Sequence, residues 1–275
     1  MQSLIRQVKS GLQQWHSRSV QPAPDDVYSG IYPMPLPLAA SNEEPWKPCH
    51  FFRGQTLNGL SMSCHASALV NGYCPHPPHA HDEEELLLLL NGEAEITLPA
   101  MAAREARQQR LQPGQFVYYP ALFPHTIRTI SEEPANYLMF KWSSSNTCSG
   151  AALKHGQYQV TVPQKEHPQV KGYYSELLFE GPTRHLGKLH CHMTRLMPGS
   201  GYPAHVDHYD AAIVFLEGEC ESLGQHVGPN SILFYAAGEP HGLQNTGTTE
   251  ARYLVFEFHP AKSRSTWSRL FRSGT

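Results

Sequence analysis

None of the six cysteines (Cys49, Cys64, Cys74, Cys148, Cys191, Cys220) lies in a C-x-x-C pair. A zinc ribbon is therefore excluded, and nothing in the spacing resembles a disulfide framework. Long apolar runs are missing too. The stretch Leu86-Leu87-Leu88-Leu89-Leu90 falls far short of the roughly 18 residues that a membrane span needs. Charge of one sign is also absent: 21 lysines and arginines face 24 acids, for a net charge of −3. That balance argues against a general nucleic-acid binder, and no helix-turn-helix or zinc-finger pattern appears. The N-terminus lacks the apolar core of a signal peptide. A reduced, cytoplasmic setting without membrane or nucleic-acid partners is the resulting expectation.

Histidine, by contrast, is abundant, with 17 residues. The most informative stretch is His79-Ala80-His81-Asp82-Glu83-Glu84-Glu85, with Gly92 beyond it. On a strand, side chains alternate between faces, so His79, His81 and Glu85 would share one wall. The leucines that follow read as a buried strand closed by the turn Asn91-Gly92. Asp82, Glu83 and Glu84 read as a solvated acidic turn, and His76 as a residue at the rim. Further on, Gly114 to His125 reads as a turn, an apolar strand, a second turn and a histidine. Three imidazoles and one carboxylate so placed suit a single divalent transition metal.

These residues resemble the cupin superfamily, whose first motif is G-x5-H-x-H-x3,4-E-x6-G and whose second is G-x5-P-x-G-x2-H-x3-N. His79 to Gly92 matches the first motif, although Gly72 stands one position early. Gly114, Pro120 and His125 match the second, with Leu122 in place of a glycine and Thr129 in place of the asparagine. The resemblance implies a metal held by His79, His81, Glu85 and His125. It also implies an all-β fold of cupin jelly-roll barrels.

The pattern then recurs. Pro120–Phe140 aligns on Ala236–Phe256 at a constant offset of 116, which places His125 on His241. Upstream the offset is 126, which places His79 on His205 and Gly92 on Gly218. Two such barrels make a bicupin, and the length suits two cores of roughly a hundred residues each. In the second copy Asp207 replaces His81 and Ala211 replaces Glu85, while Gly238 and Asn245 restore the motif positions. That copy is expected to hold metal weakly or not at all. Its alternative is a facial triad of His205, Asp207 and His241. His208 and Asp210 should face away from it.

The expected organisation is an N-terminal helix and proline-rich arm over 1–45, a first barrel with the metal site over 46–142, and a linker over 143–156. A second barrel with a degenerate site follows over 157–260, then a basic tail over 261–275. Leu4, Ile5, Val8, Leu12 and Trp15 predict the first helix, and Trp267, Leu270 and Phe271 give the tail a helical apolar face. Pro99 to Gln112, with Arg104, Arg107 and Arg110, holds the extra residues of the first copy. It reads as a surface excursion, or as a lid offering positive charge. Cys64-His65 and His190-Cys191-His192 are poor ligand candidates, because alternation splits adjacent residues between faces.

An octahedral metal on four such ligands keeps two open positions. The expected function is a metal-dependent oxidoreductase, an iron-type dioxygenase acting on a small organic molecule, with quercetinase-like bicupins as the family analogy. Mn, Ni, Zn or Co could replace Fe. The alternatives are a redox-silent isomerase, decarboxylase or lyase, and a non-enzymatic small-molecule-binding bicupin. A homo-oligomer is compatible with either. No acid or base stands out beyond the ligands; Tyr118, Tyr119 and Tyr137 are candidates better explained as aromatic core.

Overall fold

The computed structural model describes residues 26–100, 105–150 and 152–261. The two expected terminal helices, including the basic tail from Lys262, lie outside the described residues. Within them every regular element is a strand. Strands β1 (Gly30–Pro33), β2 (Trp46–Gln55), β3 (Ser61–Leu69), β4 (Glu84–Asn91) and β5 (Ala94–Leu98) come first. They are followed by β6 (Arg107–Leu111), β7 (Gln115–Tyr119), β8 (Thr126–Thr129), β9 (Ala135–Ser143) and β10 (Gly156–Gln159). The second half contains β11 (Tyr173–Gly181), β12 (Leu186–Leu196), β13 (Gly201–Val206), β14 (Asp210–Glu217) and β15 (Cys220–Ser222). It ends with β16 (Gln225–Val227), β17 (Ser231–Tyr235), β18 (Pro240–Asn245) and β19 (Ala251–Pro260).

Each half is an antiparallel jelly-roll barrel. The first joins the six-stranded sheet β10-β7-β4-β9-β3-β2 to the three-stranded sheet β6-β5-β8. The second joins β1-β17-β14-β19-β12-β11 to β13-β18-β15-β16. Registers repeat as the sequence offsets require: Glu85 pairs with Tyr119 and Lys141, as Ala211 pairs with Tyr235 and Glu257.

Two short strands cross between the halves. β1, from the proline-rich arm, pairs with β17 of the second barrel, and β10 pairs with β7 of the first. Gln157–Gln159, which the sequence reading groups with the second barrel, thus complete the sheet of the first. The exchange is reciprocal: Gly30-Ile31-Tyr32 and Gly156-Gln157-Tyr158 stand 126 positions apart, at matching edges of the two sheets.

The leucine run shows no alternation because both of its faces are buried. Leu87 and Leu89 pack inside the first barrel with Val117, Tyr119 and Met139. Leu86 and Leu88 point outward, into a core shared by both large sheets that contains Phe116, Phe140, Phe234 and Phe256. Glu84 follows this outward parity, which corrects its expected place in a solvated turn. It is fully buried and accepts hydrogen bonds from Trp142 Nε1 (2.7 Å), Thr183 Oγ1 (2.6 Å) and the Arg184 backbone N–H (2.8 Å). Its counterpart Asp210, also turned away from the barrel interior as expected, is bonded by Thr56 Oγ1 (2.7 Å) and the Ala237 N–H (2.9 Å). Each barrel therefore sends one buried carboxylate across to a threonine of the other.

The extra residues of the first copy lengthen the β5–β6 hairpin relative to β15–β16. Arg107 and Arg110 sit exposed on β6 and do not line the first-barrel cavity. Arg104 lies outside the described residues. For the two arginines described, the surface-excursion reading holds and the lid reading does not.

Candidate metal centre

Only Glu85, among the residues of the first motif, sits on a regular strand. His79 forms an isolated bridge with His125: each backbone N–H donates to the other's carbonyl, at 3.2 and 3.1 Å. His81 follows in irregular chain, and its carbonyl accepts the Leu122 N–H at 2.7 Å. Parity along one strand therefore does not bring these residues together, as the sequence reading supposed. The two turns on either side of β4 and β7 clamp each other instead.

Leu122 explains how the second motif survives without its glycine. Its φ is +62°, in the left-handed region, and its counterpart Gly238 has φ +81°. The turn is the same in both halves, since the Gly238 N–H donates to the Asp207 carbonyl (2.8 Å) as Leu122 does to His81. A leucine pays about 1–2 kcal/mol for that conformation, and its side chain is 54% exposed, so it recovers little by packing. Leu122→Gly should therefore raise stability by up to about 1 kcal/mol, after the roughly 0.5–1 kcal/mol entropic penalty of glycine. The melting temperature should rise by about 2 °C. A lower melting temperature would show that the leucine side chain is needed at the rim.

Side-chain geometry around Glu85 is tight. His81 Nε2 lies 2.6 Å from Glu85 Oε1, His125 Nε2 lies 3.2 Å from Oε2, and Lys141 Nζ lies 2.6 Å from Oε1. One donor atom each from His81, Glu85 and His125 falls within 4.8 Å of the others. The His79 ring completes the ring of imidazoles, with its centroid 5.2 Å from that of His81 and 5.5 Å from that of His125. His125 is aligned twice: its Nδ1 sits 2.8 Å from the Phe123 carbonyl, and Tyr119 stacks on the ring at 4.0 Å. Burial alone would push the Glu85 carboxyl up, but His125, His81 and Lys141 hold it well below the usual carboxylate range. His81 is raised by Glu85, while burial lowers His79.

The donor set fits a metal. His81, Glu85 and His125 already bring donor atoms within 4.8 Å of one another. The His79 ring stands beside that group, and its buried Nδ1 has no hydrogen-bond partner, an uncommon state for a buried polar atom. Glu85 Oε1 meets both His81 Nε2 and Lys141 Nζ at 2.6 Å, so a cation there would share the carboxylate with Lys141.

No spacing along the chain points to Lys141, and only the cross-strand register with Glu85 reveals it. It lines a cavity of about 210 Å³ together with His50, His65 and His76. Cys64 and His65 split between faces as alternation predicts: Cys64 joins the shared core and His65 faces the cavity, where burial pushes it down to about 4. His76 packs edge-on against His79 at 4.1 Å. Tyr119 and Tyr137 wall the cavity, whereas Tyr118 lies on the outward face near Glu84.

The second barrel repeats the scaffold with other side chains. His205, Asp207 and His241 come together, with Asp207 Oδ2 3.5 Å from His205 Nε2 and 3.3 Å from His241 Nε2. Tyr235 stacks on His241 at 4.5 Å, as Tyr119 does on His125. These residues line a cavity of about 460 Å³. His190 and His192, two apart on β12, share its wall, while Cys191 between them is buried in the shared core. Alternation separates the cysteine from the histidines but keeps the two histidines together. Burial pushes His192 down to about 4.

Two metal-compatible jelly-roll barrels in one chain define a class before any comparison. Residues 69–141 match the family described as Cupin domain. Residues 69–141 thus carry a cupin domain, and the second half of the chain repeats its jelly-roll fold. A protein described as glyoxylate-induced, from Pseudomonas aeruginosa, shares the fold with a TM-score of 0.66 at 14% identity, over 90% of this chain and 96% of that one. An oxalate decarboxylase variant from Bacillus subtilis gives 0.59 at 13% identity, covering 88% and 81%. The Lactobacillus farciminis oxalate decarboxylase in its formate complex gives 0.57 at 12%, covering 88% and 90%. Identities this low carry the fold alone. No curated protein matches the sequence. Among the described residues, no helix is long and apolar enough to cross a membrane.

Proposed function

We propose that the first barrel binds one divalent transition metal through His79, His81, Glu85 and His125, and that it oxidises a small acidic molecule there with dioxygen. The observation that carries the metal is the group of His81, Glu85 and His125 donor atoms within 4.8 Å of one another, beside the buried and unpartnered His79 Nδ1. Iron suits the oxidative reading, and Mn, Ni, Zn or Co suit the same donors. When bound, the metal supplies Lewis acidity and, as iron, electrons for dioxygen.

This chain's residues set the substrate. The cavity of about 210 Å³ is smaller than the roughly 300–1,000 Å³ of drug-sized sites, so a compact molecule fits better than a flavonoid. Lys141 is the cation available to a substrate carboxylate, which would share its ammonium with Glu85. Leu87, Ile127 and Met139 form the apolar wall that limits water and strengthens these charge contacts. The six cysteines are free thiols, which suits a reduced, cytoplasmic setting.

A redox-silent isomerase, decarboxylase or lyase is the second reading, and Lys141 favours it. An ammonium 2.6 Å from Glu85 can hold a carboxylate and deliver a proton without any oxidant. Oxygen separates the two. Under the first reading, the iron-loaded protein consumes oxygen only with its substrate, and His81→Ala abolishes the uptake. Full-rate turnover under strict anaerobiosis with zinc in place of iron would eliminate dioxygenation and leave the second reading.

A further inference from the structure

The carboxylate that Ala211 lacks returns on the neighbouring strand. Glu257 stands directly across from Ala211 in the β14–β19 register, at the position Lys141 holds in the first barrel. It is also the cross-strand partner of His190 on β12, with His192 two residues along the same face. The first-barrel counterparts of His190 and His192 in the β3–β9 register are Ser63 and His65. The second barrel therefore has a His-x-His pair and a carboxylate where the first has a serine, a histidine and a lysine.

We propose that His190, His192 and Glu257 form a metal site of the second barrel for a divalent ion of zinc type, outside the repeated motif. One donor atom of each lies within 4.8 Å of the others. His190 Nε2 and His192 Nδ1 are 3.1 Å apart. Two nitrogens bound at about 2.0–2.1 Å to one ion stand roughly 2.8–3.4 Å apart across octahedral or tetrahedral angles. The pair needs little movement to bind.

The outer contacts have the form that metal-bound histidines and carboxylates use. Glu180 Oε2 accepts from His190 Nδ1 at 2.9 Å, which turns the lone pair of Nε2 toward the cluster. His259 Nε2 sits 2.7 Å from Glu257 Oε2 and fixes that carboxylate, while Tyr209 packs on the His259 ring at 4.0 Å. Such supporting partners set ligand tautomer and orientation. The site opens onto the cavity of about 460 Å³, which leaves room for water or a small ligand as further donors. Two imidazoles and one carboxylate with an open position form a donor set used by zinc and iron.

The test is cobalt and zinc titration of the full chain carrying His79→Ala and His125→Ala, so that the first barrel is silent. One equivalent of Co(II) should bind with a visible d–d band, and Zn(II) should raise the melting temperature. His192→Asn and Glu257→Gln should each weaken both responses at least 10-fold, whereas His205→Asn with His241→Asn should leave them in place. A melting temperature without metal equal to that of the parent shows that each variant is folded. His190→Asn replaces any variant that is not. Binding that survives loss of His192 and Glu257, or that disappears with His205 and His241, overturns the assignment. So does the absence of any bound equivalent.

Discussion

Glu84→Ala should lower the unfolding free energy by about 3–5 kcal/mol, as expected when several buried donors lose their acceptor at about 1–3 kcal/mol each. The carboxylate is fully buried between the barrels, and its loss strands Trp142 Nε1, Thr183 Oγ1 and the Arg184 N–H without an acceptor. Each unsatisfied buried donor costs about 1–3 kcal/mol, and the vacated space adds a cavity between two sheets. Against a total stability of roughly 5–15 kcal/mol, the change is large enough to compromise folding at physiological temperature. Asp82→Ala is the control. Asp82 is 56% exposed and pairs with Arg184 Nε at 3.0 Å, a surface contact worth about 0–1 kcal/mol. Urea denaturation of both variants reads the difference. A Glu84→Ala midpoint within error of the parent would mean that the inter-barrel network contributes nothing net.

The repeat and the proposed ligand set are legible in the sequence because both are written as spacings along one chain. His79, His81, Glu85 and His125 needed no partner strand to be recognised, and neither did the offsets of 116 and 126. What the spacings miss depends on register between strands. Lys141 and Glu257 become visible only when β9 and β19 are laid beside β4 and β14. Glu84 hides in an acidic run, and its partners stand 34 to 100 residues away. The strand exchange left a weak trace in the recurring Gly-x-Tyr at Gly30 and Gly156, too short to outweigh the prolines around the first. Leu122 signalled a departure from the motif, but its positive φ follows from the clamp on His81, which no local propensity encodes. Alternation parts Cys191 from its neighbours but returns His190 and His192 to one face.

Glu85→Ala should weaken binding of the proposed first-barrel metal by about 100-fold or more, beyond the 10–100-fold typical of losing an outer-shell partner. The variant leaves three neutral imidazoles, so histidine alone retains some affinity. Lys141 makes the loss larger. Its Nζ sits 2.6 Å from Glu85 Oε1, and without that carboxylate the ammonium faces a divalent ion across a largely apolar cavity. Lys141→Met in the Glu85→Ala background should recover part of the affinity, whereas Lys141→Met alone should change binding far less. The cycle of four proteins isolates the coupling between the two residues. Isothermal titration with Mn(II) or Co(II) gives the affinities, and circular dichroism confirms that each protein is folded. His192, Glu257, His205 and His241 of the second barrel are replaced throughout, so that only the first barrel reports. An affinity unchanged by Glu85→Ala would remove Glu85 from the ligand set. A double variant no tighter than Glu85→Ala would show that Lys141 withdraws from the centre once its carboxylate is gone.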